Sequence, residues 1–115
     1  MRAAWPALEI GAAASADPAP FDLVVNATPL GLKAGDALPI DPVRMAPGAA
    51  VVDILMKNQP TPLLRACAAR GIAAHPGYEM LTQQAPETLD FFGLHELART
   101  VAADSSELRR LMQAL

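Results

Sequence analysis

Ala49-Ala50-Val51-Val52-Asp53-Ile54-Leu55, followed after a polar loop by Thr61-Pro62-Leu63-Leu64, is the stretch that sets the fold class. The first run is apolar on both faces, which suits a strand buried in a parallel sheet better than one half-exposed. Thr61 suits a helix N-cap, and Pro62 then takes the first helical position, where its missing N–H costs nothing. Leu63, Leu64, Cys67 and Ala68 continue as an apolar stripe, and Arg70-Gly71 closes the helix with a cation and a glycine. Strand followed by helix is the first half of a right-handed crossover.

Working outward, Ile72-Ala73-Ala74-His75 reads as a short third strand, stopped by Pro76-Gly77. Upstream, Phe21-Asp22-Leu23-Val24-Val25-Asn26 is another β-branched run ending in polar residues. Leu8-Glu9-Ile10-Gly11 alternates and reads as one more strand, ahead of a linker of Ala, Ser, Asp and Pro through Pro20. The segment 27–47 holds Gly31, Gly35, Pro29, Pro39, Pro42 and Pro47, so it is loop with at most a helical turn near Asp41 to Met45. A helix is expected from Tyr78 to Phe92, ended by Gly93 and kinked or restarted at Pro86. Asp104-Ser105-Ser106-Glu107 looks like a capping box for a last helix. Together these elements predict an α/β chain: a mostly parallel sheet of about four strands with flanking helices. Residues 1–115 are expected to form a single, incomplete domain, with 94–115 a helical tail.

Composition narrows the function. At 115 residues the chain is long enough for one core, and 52% hydrophobic against 18% charged residues is globular rather than disordered. The formal charge is −3, with Lys and Arg scattered, so the basic stripe of a nucleic-acid binder is lacking. No apolar run nears the roughly 20 residues of a membrane helix. Met1 to Pro6 lacks the apolar core of a signal peptide, and Cys67 alone cannot form an internal disulfide, so a cytoplasmic protein is expected. The two histidines lie twenty positions apart with no carboxylate cluster, so no metal site is expected.

In parallel α/β sheets ligands bind beyond the carboxyl ends of the strands. Here those ends carry Asn26-Ala27-Thr28, Asp53 to Lys57, and His75-Pro76-Gly77. Three segments at these ends resemble the shikimate dehydrogenase family (shikimate/quinate dehydrogenase-like). Asp22 to Gly31 is similar to its strand ending in Asn-Ala-Thr-x-x-Gly. Val52-Asp53-Ile54-Leu55-Met56-Lys57 with Thr61-Pro62-Leu63-Leu64 resembles its strand Asp, loop and Thr-Pro-Leu helix start. Gly77 to Ala85 resembles its Gly-x-x-Met-Leu-x-x-Gln-Ala helix. The resemblance runs from about Leu8 to Gly93 and places the chain in the C-terminal part of a Rossmann-like nucleotide-binding domain. It implies that the first two strands of the complete domain precede this chain.

What the resemblance implies for the site is specific. Asn26 and Thr28 would line the cofactor's path. Ile54 would lie against the nicotinamide of NADP, and the Gly77 backbone would approach its carboxamide. Gln84 would hydrogen-bond a hydroxyl of a shikimate-like carboxylate, with Met80 beside it. Met56 stands where many members place a substrate-touching tyrosine. Glu79 replaces a common glycine, and Pro86 a small residue. The family's catalytic Lys and Asp lie in a domain preceding this one, and no Gly-x-Gly-x-x-Gly occurs here, so no catalytic residue is expected in this chain and turnover by it alone is not expected. The implied activity is NADP-dependent reduction of 3-dehydroshikimate to shikimate, in aromatic amino acid biosynthesis. The alternative is a non-catalytic dimerising or small-molecule binding module, self-associating through the unpaired edge of strand Phe21 to Asn26.

Blander readings stand beside these. Asn26 alone would read as a turn cap; with Thr28 and Gly31 in register it reads as a ligand loop. Asp53 reads as an anchor for loop N–H groups. Gln84 reads equally as a satisfied buried amide or a ligand contact. His75 and His95 read as packing or surface residues, and Cys67 as a small core hydrophobe.

Overall fold

A computed structural model describes residues 4–114. Three four-residue strands, β1 (Leu23–Asn26), β2 (Ala50–Asp53) and β3 (Ala73–Pro76), form one parallel sheet in the order β1-β2-β3. A single 3-10 turn, Pro42–Arg44, lies in the long loop between the first two. Helix α1 (Pro62–Ala68) connects β2 to β3, and α2 (Tyr78–Phe91), α3 (His95–Ala103) and α4 (Ser106–Gln113) follow.

The register explains where the core sits. Val24, Val51 and Ala74 are paired across the sheet, so their side chains share one face. On that face Val51 is fully buried against Met45, Ala49, Leu63, Leu64 and Cys67, with Val24, Ile40, Ile72 and Ala74 packed around them. Cys67 is a core residue here: its Sγ meets Met45 Sδ at 3.8 Å, and burial pushes its thiol pKa up. Helix α1 forms as its sequence suggests. Thr61 Oγ1 accepts from Leu64 N at 3.3 Å, Pro62 opens the first turn, and Gly71 takes a φ of +74° just beyond the end.

The opposite face differs from the expectation of strands buried on both sides. On that face lie the rows Leu23, Ala50, Ala73 and Val25, Val52, His75, and there Val25 is 51% and Leu23 57% exposed. The reason lies in the helices: α1 packs on β2 and β3, whereas α2 packs chiefly on α3 and α4. The sheet also has three strands rather than four. Leu8 to Gly11 is irregular rather than a strand, and Leu8 N bonds back to Trp5 O in a turn.

Two helix details also depart from the sequence reading. Helix α2 runs without interruption through Pro86 and ends one residue earlier than expected, at Phe91. The capping box before α4 does not form: Ser105 makes no side-chain cap, and Asp104 Oδ1 instead accepts from Ser106 N at 2.8 Å. A short acidic side chain one residue further out reaches the first free donor more directly.

The linker is tied to the 3-10 turn by Asp17, whose carboxylate accepts from Arg44 Nε at 2.9 Å and from Ala19 N at 3.1 Å. The Arg44 guanidinium, helped by the Ala19 N–H, holds the Asp17 carboxyl down at about 2. The contact is therefore complete above the ordinary carboxylate range and is lost only as pH falls through about 2. Arg44→Gln is expected to raise Asp17 most of the way back toward the ordinary carboxylate range, the Ala19 N–H still holding it somewhat below, in a carboxyl-carbon NMR titration. An unmoved Asp17 would remove the guanidinium as the cause.

Candidate functional site

The parallel register brings the three polar strand ends into one row, Asn26 beside Asp53 beside Pro76. At its centre the Asp53 side chain is fully buried and accepts from three segments at once. Its Oδ1 accepts from Asn26 Nδ2 at 3.0 Å and Leu55 N at 3.2 Å, and its Oδ2 accepts from Thr61 Oγ1 at 2.6 Å. One carboxylate thus fixes the end of β1, the loop after β2 and the cap of α1. Burial of such a group costs little only when its oxygens are matched by donors, as they are here.

Asn26 passes the order on. It is buried, and its Nδ2 also donates to Leu30 O at 3.3 Å. Its Oδ1 accepts from Thr28 N at 3.0 Å and Thr28 Oγ1 at 2.7 Å, while Leu30 N donates to Thr28 Oγ1 at 3.2 Å. Both hydrogen-bonding functions of the Thr28 hydroxyl are therefore spent on the loop. Gly31 follows at φ +108°, against Leu55, and its N–H donates to Asp36 Oδ2 at 3.0 Å. The Lys33 and Gly31 N–H groups pull the Asp36 carboxyl below its ordinary range.

Above this network lies an open groove of about 620 Å³. Ala27, Thr28 and Pro29 line one side, with Ile54, Leu55, Met56 and Lys57 opposite. The surface is mainly apolar, and Lys57 is the charged residue among those lining it. Gly77 lies beneath the same loop. A Cβ there would stand 2.5 Å from Ile54 Cα and 2.6 Å from Asp53 O, so no larger residue fits without moving backbone. Its φ of −65° is ordinary, so space and not conformation demands glycine.

Of the residues singled out from sequence, Thr28, Ile54 and Met56 meet in the groove, with Asn26 below Thr28 and Gly77 against Ile54. Met80 and Gln84 are not brought there. Both are exposed on α2 and neither lines the groove. Gln84 is accordingly not a buried amide. The sequence reading missed the Asp53–Thr61 bond and the place of Lys57 in the groove. A threonine cap eight residues after a strand-end Asp was the available signal for the first. Among the described residues no group of three or more His, Cys, Asp or Glu could hold a metal, and no helix is long and apolar enough to cross a membrane.

A parallel α/β sheet with its groove at the carboxyl edge defines the Rossmann-like class of nucleotide domains. No family model matches the chain, and no solved structure matches it. Curated sequences do. The shikimate dehydrogenase (NADP(+)) of Acidiphilium cryptum is 45% identical over 102 residues, covering 84% of this chain and 36% of that protein. The enzyme of that name from Rubrobacter xylanophilus is 46% identical over 67 residues, 57% of this chain and 24% of its own length. That from Rhodopseudomonas palustris is 39% identical over 93 residues, 80% of this chain and 31% of its own. The chain is shikimate dehydrogenase-like, and it spans 24 to 36% of the length of these relatives.

Asp53→Ala leaves three donors without an acceptor and is expected to cost about 3 kcal/mol or more in urea unfolding. Asp53→Asn, which keeps one oxygen, is expected to cost less. Equal losses would mean that the hydrogen bonds are not what holds the three segments. Gly77→Ala should cost about 1–3 kcal/mol and shift the amide resonances of Ile54 and Leu55. Unchanged resonances would contradict the tight approach.

Proposed function

We propose that this chain supplies the nicotinamide-facing part of an NADP-dependent oxidoreductase that reduces 3-dehydroshikimate or a closely related carboxylate. The observation that carries this reading is the convergence of Thr28, Ile54 and Met56 on one groove, braced from below by Asn26 and Gly77. The names of its relatives support NADP as the cofactor. The residues present suit the nicotinamide end: an apolar wall at Ile54 and Met56, and backbone close to the surface at Thr28 and Gly77. NADPH supplies a hydride when bound. Asn26 fixes the Thr28 loop, and Ile54 and Leu55 would offer a bound nicotinamide an apolar surface. Met80 and Gln84 are exposed on α2 outside the groove, so a role for them as substrate contacts would need the substrate to reach the solvent-facing side of that helix. No acid–base pair is assigned among these residues, so turnover requires groups outside them. A cytoplasmic setting fits this chemistry.

A second reading, a self-associating module without turnover, is favoured by the β1 edge. There Phe21, Leu23 and Val25 are each more than half exposed beside a strand whose outer N–H and C=O groups face away from β2.

Calorimetric titration of the chain with NADPH, with and without shikimate, separates the two. Saturable NADPH binding that Ile54→Asp abolishes is the expected outcome. Absence of binding at millimolar NADPH, together with a dimer in sedimentation, would replace the enzyme reading by the second.

A further inference from the structure

A second concavity, of about 550 Å³, lies away from the groove, between α1, the end of β3, the start of α2 and the end of α4. None of its lining residues lines the groove. Its floor is apolar, built from Leu64, Ala68, Ala74 and Pro76. Its polar groups are Arg65, Tyr78 and Gln113 on the walls, with Gln59, whose Nε2 donates to Leu55 O while its buried Oε1 has no partner among the described residues. No aspartate or glutamate lines it.

The donors are unevenly used. Tyr78 is only 6% exposed, and its phenol oxygen accepts from Gln113 Nε2 at 3.0 Å. Among the described residues the phenol's own proton has no acceptor. The Arg65 guanidinium donates through one nitrogen to Pro60 O and pairs with no carboxylate among the described residues. A nearly buried hydroxyl and a guanidinium with free N–H groups, both donors, therefore share an apolar cleft that offers no anion to satisfy them. Helix α4 holds the Gln113 wall in place: Arg109 Nε lies 3.0 Å from both Glu79 oxygens, fastening α4 to the first turn of α2.

We propose that this cleft is a binding site for a small aryl carboxylate. The ring would lie on the Leu64–Pro76 floor, and the carboxylate would accept from Tyr78 and Arg65. Apolar walls with a few convergent polar groups, in a volume of this size, are the usual build of a small-molecule site. A planar carboxylate is the anion that a guanidinium fork matches best.

The test is an amide-resonance titration of the full chain with benzoate, with benzyl alcohol and inorganic phosphate as parallel probes. Expected are saturable shifts at Leu64, Ala74 and Tyr78 with benzoate, and much weaker responses to the other two. Tyr78→Phe, which keeps the ring, and Arg65→Gln, an exposed change, should each weaken benzoate about tenfold. Benzoate shifts that do not saturate, or that survive both substitutions unchanged, would overturn the assignment. So would phosphate or benzyl alcohol binding as tightly as benzoate, since the site would then read charge or surface alone. These readouts stand apart from the NADPH titration, so either proposal can fail without the other.

Discussion

A buried carboxylate is the constraint on which the rest of this chain depends. Asp53 ends the central strand with no cation hydrogen-bonded to it, and its two oxygens are instead satisfied by an amide, a backbone N–H and a hydroxyl. Because the side chain is fully buried, each of those donors must arrive from a particular direction. Asn26 is thereby held at the end of β1, the chain turns at Leu55, and Thr61 is set as the cap from which α1 begins at Pro62. The close seating of Gly77 on Asp53 O and Ile54 Cα adds the start of α2 to the same assembly. Groove, crossover helix and last strand are thus arranged around one polar contact set at the sheet's carboxyl edge.

What could be read in advance follows from how local each cause is. β2 and the Thr61-Pro62 helix start were legible because strand hydrophobicity and N-cap chemistry act within a few residues. Leu8 to Gly11, irregular in the structure, was not, because four alternating residues carry no record of whether they will enter a ladder. The one-sided burial of Leu23 and Val25 was likewise hidden: an apolar run looks the same whether one face or both are covered. In the site, Thr28, Ile54 and Met56 were legible as strand-end residues, since the parallel register sends every such loop to one edge. Met80 and Gln84 were placed by resemblance. The rotation of α2 is set by what it buries, which is Tyr78 and Thr82. Positions two further on lie about 200° around the helix, so Met80 and Gln84 face away from that packing.

The same unevenness shows in the size of the molecule. A radius of gyration of 16.9 Å exceeds the roughly 13 Å of a compact domain near this length. Phe91 is 84% and Phe92 71% exposed at the α2–α3 corner, and the open sheet face adds Leu23 and Val25. The apolar share of the sequence is therefore not matched by an equally large core. An aromatic pair in edge contact at a helix corner is costly to leave in water and is well suited to burial against a neighbouring surface. That agrees with both readings of function, since each has this chain working against another domain or another copy.

The groove's own chemistry carries the argument about specificity further. A tyrosine at position 56 would present a directional donor. Met56 presents a thioether, which accepts only weakly and donates nothing. The neighbouring Lys57 brings an ammonium to the same rim, a point charge on a flexible stem that attracts an anion without fixing its plane. On the oxidoreductase reading, recognition at this corner therefore passes from a hydrogen bond that tests geometry to a charge that tests sign. On that same reading, a site so built would accept a wider set of ring carboxylates than one with a tyrosine hydroxyl, and its affinity for them would fall more steeply with salt.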